Sequence, residues 1–186
     1  GNDEDLLYVQ TDRAAPKGRV IGIDLKNPDP KEWKTLIPEN RHPIQEVALV
    51  GDRFFVHRLR LARSQLAVHR LDGTREREIK LPTLGSVYGI DGRRRDKEIF
   101  FGFTGYTHPT TIFRYEIARG QRSLFRRPKV DFDPEDFYTR QVTYKVTGSE
   151  RVPMVISHRR GIVLDGTNPP LVHRYSAFNS ARTPCR

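Results

Sequence analysis

Two glycine-serine pairs, six histidines, a run of acids and a triple arginine are the residues of this chain whose types could do chemistry. A serine nucleophile needs a sharp strand-to-helix turn of the form G-x-S-x-G, followed along the chain by an acid and a histidine. Gly85-Ser86 has its next glycine at Gly89, one position too late, and Gly148-Ser149 is followed by Glu150. Both read as turn serines, so no catalytic triad is expected within the chain. His57 and His69 fall on adjacent predicted strands and could approach each other. Spacing places no third ligand beside them, so a strand-face role is expected rather than a metal site. His108, before Pro109, reads as a turn residue and His158, beside Arg159-Arg160, as an exposed strand end. Asp131, Asp133, Glu135 and Asp136 lack the glycine and closing glutamate of a calcium loop and read as a solvated hinge. No metal or other cofactor is implied.

These residues are carried on 186 positions with 33 Lys plus Arg against 23 Asp plus Glu, a net charge of +10. Arginine supplies 25 of the basic residues. Such charge suits an acidic partner, but the bases are spread along the chain with acids interleaved. Arg93-Arg94-Arg95, between Asp91-Gly92 and Asp96, reads as a solvated loop tip. No ribonucleoprotein motif, helix-turn-helix or finger spacing accompanies the charge, which argues against nucleic acid. Mean hydropathy is −0.65 and the apolar runs are short, so no apolar membrane span is expected. The acidic start, Gly1-Asn2-Asp3-Glu4-Asp5, is unlike a signal peptide, and a cytoplasmic setting is the expectation. Cys185 alone cannot make an internal disulfide.

The elements that must position these residues repeat. Three β-rich strings end on Leu25, Leu71 and Ile117, spaced by 46 residues both times. Each is followed by a turn and a second short strand that stops at a proline, namely Pro38, Pro82 and Pro128, at intervals of 44 and 46. Strand pairs at 47–50 with 53–59, and at 87–90 with 98–103, precede the second and third strings. Runs rich in Val, Ile, Phe and Tyr between Gly, Asp and Pro are antiparallel strands, and a four-stranded unit at this period is the signature of β-propeller blades. The first unit shows three strands and the next two are complete, so residues 1–130 make about two and three-quarter blades. Closed propellers need roughly four to eight. The alternatives are a segment of a longer chain, an oligomer that completes a ring, or a different arrangement of the strands.

After Pro128 the acidic, proline-containing stretch 129–136 reads as a boundary. Strands are predicted over 137–145 and 151–158, joined as a hairpin across 147–150, and a third over 171–175.

These segments carry a resemblance. Residues Tyr8-Val9-Gln10-Thr11-Asp12, Ala15-Pro16-Lys17-Gly18-Arg19, Pro128-Lys129-Val130-Asp131-Phe132-Asp133-Pro134, Arg151-Val152-Pro153-Met154 and Tyr175-Ser176-Ala177-Phe178-Asn179 are similar to the middle of prolyl oligopeptidases. In that serine peptidase family a seven-bladed propeller caps an α/β-hydrolase domain. The resemblance implies a mainly β chain: a partial, open β-propeller over 1–130, then a hinge and the first strands of a truncated α/β-hydrolase domain over 131–186. It implies that Tyr175 donates its hydroxyl to the oxyanion of the tetrahedral intermediate, a role for which a preorganised donor is suited, and that Phe178 lines the pocket for the substrate's proline ring. The family pattern there is glycine-tyrosine-glycine-glycine-phenylalanine-asparagine. Arg174, Ser176 and Ala177 replace its glycines, and side chains at 176 and 177 resist a positive φ.

The function implied is that of a fragment of a serine endopeptidase that cleaves short, proline-containing peptides after proline, the propeller gating access. Its triad would lie beyond this segment, leaving the chain alone inactive. The alternative is a noncatalytic propeller module that binds an acidic partner. Either way, open blade edges are expected to favour self-association.

Overall fold

The computed structural model describes residues 1–145, 148 and 151–173. Its architecture is mainly β: four antiparallel sheets and, apart from two single 3-10 turns, no helix among the described residues. The first blade is β1 (Asn2–Asp3), β2 (Leu6–Thr11), β3 (Arg19–Asp24) and β4 (Lys34–Ile37). The second is β5 (Ile44–Val50), β6 (Arg53–Arg60), β7 (Arg63–Arg70) and β8 (Arg75–Ile79). The third is β9 (Gly85–Asp91), β10 (Glu98–Gly105), β11 (Thr111–Glu116) and β12 (Gln121–Arg126). In each, every strand pairs with its neighbour in sequence. A separate hairpin follows, β13 (Phe137–Lys145) with β14 (Arg151–Arg159), in unbroken register from Phe137↔Arg159 to Lys145↔Arg151.

The 46-residue period is visible in the strand ends: β3, β7 and β11 stop at Asp24, Arg70 and Glu116. Two features differ from the sequence reading. The first blade has a fourth strand, the two-residue β1, paired through Asn2↔Leu7 and Asp3↔Leu6. Its polar residues carry no apolar alternation, so nothing in the pattern marks it. The third strand expected at 171–175 is not seen where the chain is described: Leu171, Val172 and His173 lie outside any sheet, Leu171 98% exposed. Among the described residues no strand pairs with them, so no ladder forms.

Burial follows from the stacking of sheets. The middle blade is covered on both faces, so β6 reads as the unbroken run Phe54-Phe55-Val56 instead of alternating. Phe54 and Val56 face the first blade and join Tyr8, Val20, Ile37 and Ile44; Tyr8 meets Phe54 edge to face at 5.1 Å. Phe55 faces the third blade in a larger core with Leu66, Val68, Ile99, Phe101, Phe103 and Tyr115. Each such side chain contributes roughly 1.5–3 kcal/mol through its removal from water. The far face of the third blade is uncovered among the described residues. There Phe125, 59% exposed, rests edge-on against Phe100 at 4.8 Å.

The blades are also clasped by charge. Arg93-Arg94-Arg95 does stand in the β9–β10 turn, but Arg94 is not a solvated tip. It forms ion pairs with Asp52, in the β5–β6 turn of the second blade, and with Asp3 on β1 of the first at 3.3 Å. One arginine thus joins turns or strands of all three blades. Gly73, in the β7–β8 turn, has φ +88, and a Cβ there would lie 1.9 Å from the Leu36 carbonyl oxygen of the first blade. Only glycine fits this approach.

Candidate functional site

The polar chemistry of the described chain gathers between sheets, and the register of β6 with β7 decides what meets. Phe54 pairs with His69 and His57 with Leu66. Since side chains alternate along a strand, His57 shares the face of Phe55 and Leu66, whereas His69 shares that of Phe54. The two histidines therefore point to opposite faces of the second blade, and the approach expected from sequence does not occur.

His57, 7% exposed, sits in the interface with the third blade. Its Nε2 lies 2.7 Å from Ser64 Oγ, and the same hydroxyl oxygen accepts the Val87 backbone N–H of β9 at 2.8 Å. With Val87 donating, the hydroxyl hydrogen is available to a neutral imidazole. Burial pushes the His57 pKa down to about 4, which keeps the ring uncharged. Beside it Glu46 Oε1 accepts the Ile90 N–H at 3.2 Å, and burial raises that carboxyl's pKa against the opposing effect of the bond. This cluster ties β9 to the second blade.

On the opposite face, toward the first blade, a groove of about 470 Å³ opens beside Ile37 and Pro38. Stepping by two from Phe54 and Val56 brings Arg58 and Arg60 onto this face, joined by Arg41, His42, His69 and Arg75, with Glu78 as the one carboxylate in the lining. Arg58 is buried at 9% exposure and donates to the carbonyl oxygens of His42 at 2.8 Å and Pro38 at 3.0 Å. His42 is held below its ordinary pKa by burial and then by Arg41, Arg60, Arg58 and Lys17. His69 is lowered mainly by burial, against a bond to the Gly73 carbonyl at 2.9 Å. Sequence reading did not single out His42, Arg41, Arg58 or Arg60. The signal available was the pair of arginines continuing the inward face of β6.

The β13–β14 hairpin meets the blades at the end opposite the Arg94 clasp. Gln141 Nε2 donates to the Leu61 carbonyl in the β6–β7 turn at 2.5 Å, and Thr139 Oγ1 lies 3.3 Å from Thr107 Oγ1 after β10. The acidic stretch before it is exposed but tethered. Asp133 caps the 3-10 turn Pro134–Asp136, and Arg160 donates to the carbonyls of Asp136 and Glu135, each at 2.7 Å. Tyr175 and Phe178 lie outside the described residues, as do Ser176, Ala177 and Ser149. Ser86 stands inside β9 and, among the described residues, its buried Oγ has no hydrogen-bond partner; no histidine faces it as a base. His108 is packed edge-on against Phe103, and His158 against Tyr138. Among the described residues no three or more His, Cys, Asp or Glu side chains gather in a way that could hold a metal ion.

Comparison with known proteins places this geometry. The family profile described as prolyl oligopeptidase, N-terminal beta-propeller domain, matches residues 1–128. The prolyl endopeptidase of Elizabethkingia miricola is 36% identical over 182 residues, 98% of this chain and 26% of the relative. Prolyl oligopeptidase A of Amanita bisporigera is 30% identical over 99% of this chain and 25% of its own length. The apo structure of prolyl oligopeptidase B from Galerina marginata superposes with a TM-score of 0.81 at 27% identity, covering 89% of this chain and 24% of that one. The chain thus spans about a quarter of the length of the relatives it matches. Three successive four-stranded sheets, the profile over their whole extent and this agreement in structure make the chain a member of the prolyl oligopeptidase family, residues 1–128 belonging to its N-terminal β-propeller domain.

Proposed function

We propose that this chain is the later-blade portion of a serine endopeptidase that cleaves short peptides after proline, with residues 131–186 forming the hinge and first strands of the peptidase domain. The observation that carries the reading is the profile match over 1–128 together with relatives that are prolyl endopeptidases. Related structures hold long peptide substrates: one of Galerina marginata prolyl oligopeptidase B is bound to a 35mer hydrolysis and macrocyclization substrate. In the working enzyme the blades restrict which peptides reach the reacting centre. Tyr175 donates to the developing oxyanion and Phe178 packs against the proline ring, both assigned by resemblance.

The test is hydrolysis of a blocked glycyl-prolyl fluorogenic amide by the full-length protein, with labelling by a serine-reactive fluorophosphonate. Cleavage after proline that fluorophosphonate abolishes supports the reading. A pure, folded protein that neither labels nor cleaves overturns it and leaves a noncatalytic propeller.

A further inference from the structure

We propose that the groove between the first and second blades is a binding site for a phosphoryl dianion, either inorganic phosphate or the phosphate group of a small monoester. The groove carries an imbalance of charge. Four arginines line the groove, and its single glutamate, Glu78, is already engaged with Arg75 at 2.7 Å. Among the described residues no carboxylate forms an ion pair with Arg41, Arg58 or Arg60. Arg58 is the telling member. A buried guanidinium is costly to desolvate unless a charge answers it, yet its two terminal nitrogens are fixed by the carbonyls of His42 and Pro38. Those bonds orient the side chain without neutralising it.

His42 at the edge of the groove is held below its ordinary pKa first by burial and then by Arg41, Arg60 and Arg58. Buried Arg58, half-buried Arg60 and exposed Arg41 converge on one groove, a concentration of positive charge that suits a phosphoryl dianion better than a single carboxylate. Planar guanidinium forks match the oxygens of a phosphoryl group, bidentately where geometry allows. At about 470 Å³ the groove is large enough for a small phosphoester and within the range of small-molecule sites. The site lies on the side of the second blade away from the His57 cluster.

The test is direct titration of the full-length protein with inorganic phosphate, glycerol 2-phosphate, acetate and chloride at matched ionic strength, followed by calorimetry and by ³¹P line broadening. Saturable binding of phosphate or glycerol 2-phosphate, without binding of acetate or chloride, is expected. Binding of both phosphates identifies the phosphoryl group as the ligand; binding of inorganic phosphate alone identifies the free ion. The double variant Arg41→Gln/Arg60→Gln, which leaves the Arg58 bonds in place, is expected to weaken binding at least tenfold. A Lys31→Gln/Lys34→Gln control on the exposed surface of the first blade is expected to bind normally. No phosphate binding, equal response to acetate, or equal loss in both double variants overturns the proposal.

Discussion

His57 Nε2 lies 2.7 Å from Ser64 Oγ, and through that hydroxyl an imidazole on β6 is linked to the backbone of β9. Burial in this interface disfavours the charged ring. It pushes the His57 pKa down to about 4.

Stability should therefore depend on acid. In the unfolded chain His57 takes up a proton below about 6.5, whereas in the folded protein it does so only near 4. Between those values the unfolded state binds more protons, so stability falls as pH falls, by up to about 1.4 kcal/mol per unit and roughly 3 kcal/mol in all. Glu46, with its pKa raised by burial, works in the opposite sense. Urea unfolding from pH 7.5 to 4.5 is expected to show a steeper loss in the wild type than in His57→Gln. Parallel curves would contradict the assignment.

The β6–β7 turn stores strain. Leu61 and Ala62 both have left-handed backbone, with φ of 49° and 60°, in a two-residue hairpin that favours Asn-Gly. Leu61→Asn and Ala62→Gly are each expected to stabilise by about 1 kcal/mol, since the bond from Gln141 goes to a main-chain carbonyl that survives both changes. Thermal unfolding of the two variants checks this, and a lowered midpoint in both would count against it.

Gly73→Ala should do the reverse. It combines a φ of +88 with a Cβ 1.9 Å from the Leu36 carbonyl oxygen, so the first and second blades must separate locally. A loss of about 2–4 kcal/mol is expected, whereas alanine at Gly89, where nothing lies within 4 Å of the added atom, meets only the strain of its φ and should cost less. Denaturant midpoints of the pair give the comparison.

The legible part of this fold was periodic and the illegible part was mutual. A 46-residue spacing and strand-ending prolines survive in the sequence because every blade needs the same turns and the same apolar strands. β1 left no trace, being two polar residues long. Arg94 and Arg58 could not be read from their neighbours in sequence, because their surroundings come from other blades: Asp3 and Asp52 for one, the carbonyls of Pro38 and His42 for the other. The separation of His57 from His69 needed only register. A two-residue turn at Leu61-Ala62 fixes which residues oppose, and from that the parity follows.

The uncovered face of the third blade makes a prediction for the isolated 186-residue chain. Phe125 and Phe100 meet edge to face on that surface, and Ile112 is exposed; in water such a surface favours association. Sedimentation is expected to show concentration-dependent self-association that Phe125→Lys reduces at least severalfold. A monomer at all concentrations would mean that this face is covered by some other part of the chain.

Resemblance assigns the Tyr175 hydroxyl to the developing oxyanion. In the full-length protein Tyr175→Phe removes one hydroxyl donor while keeping the ring, so substrate binding should change little. Loss of a donor that acts only on the developing oxyanion lowers kcat and kcat/KM together, by about 10²–10³. Phe178→Ala should instead raise KM for proline-containing substrates, because contact with the proline ring is made in the ground state as well. If Tyr175→Phe retained full kcat, the oxyanion would have to be held by other donors, and the replacement of the family's glycines by Ser176 and Ala177 would then mark a site rebuilt around a different geometry.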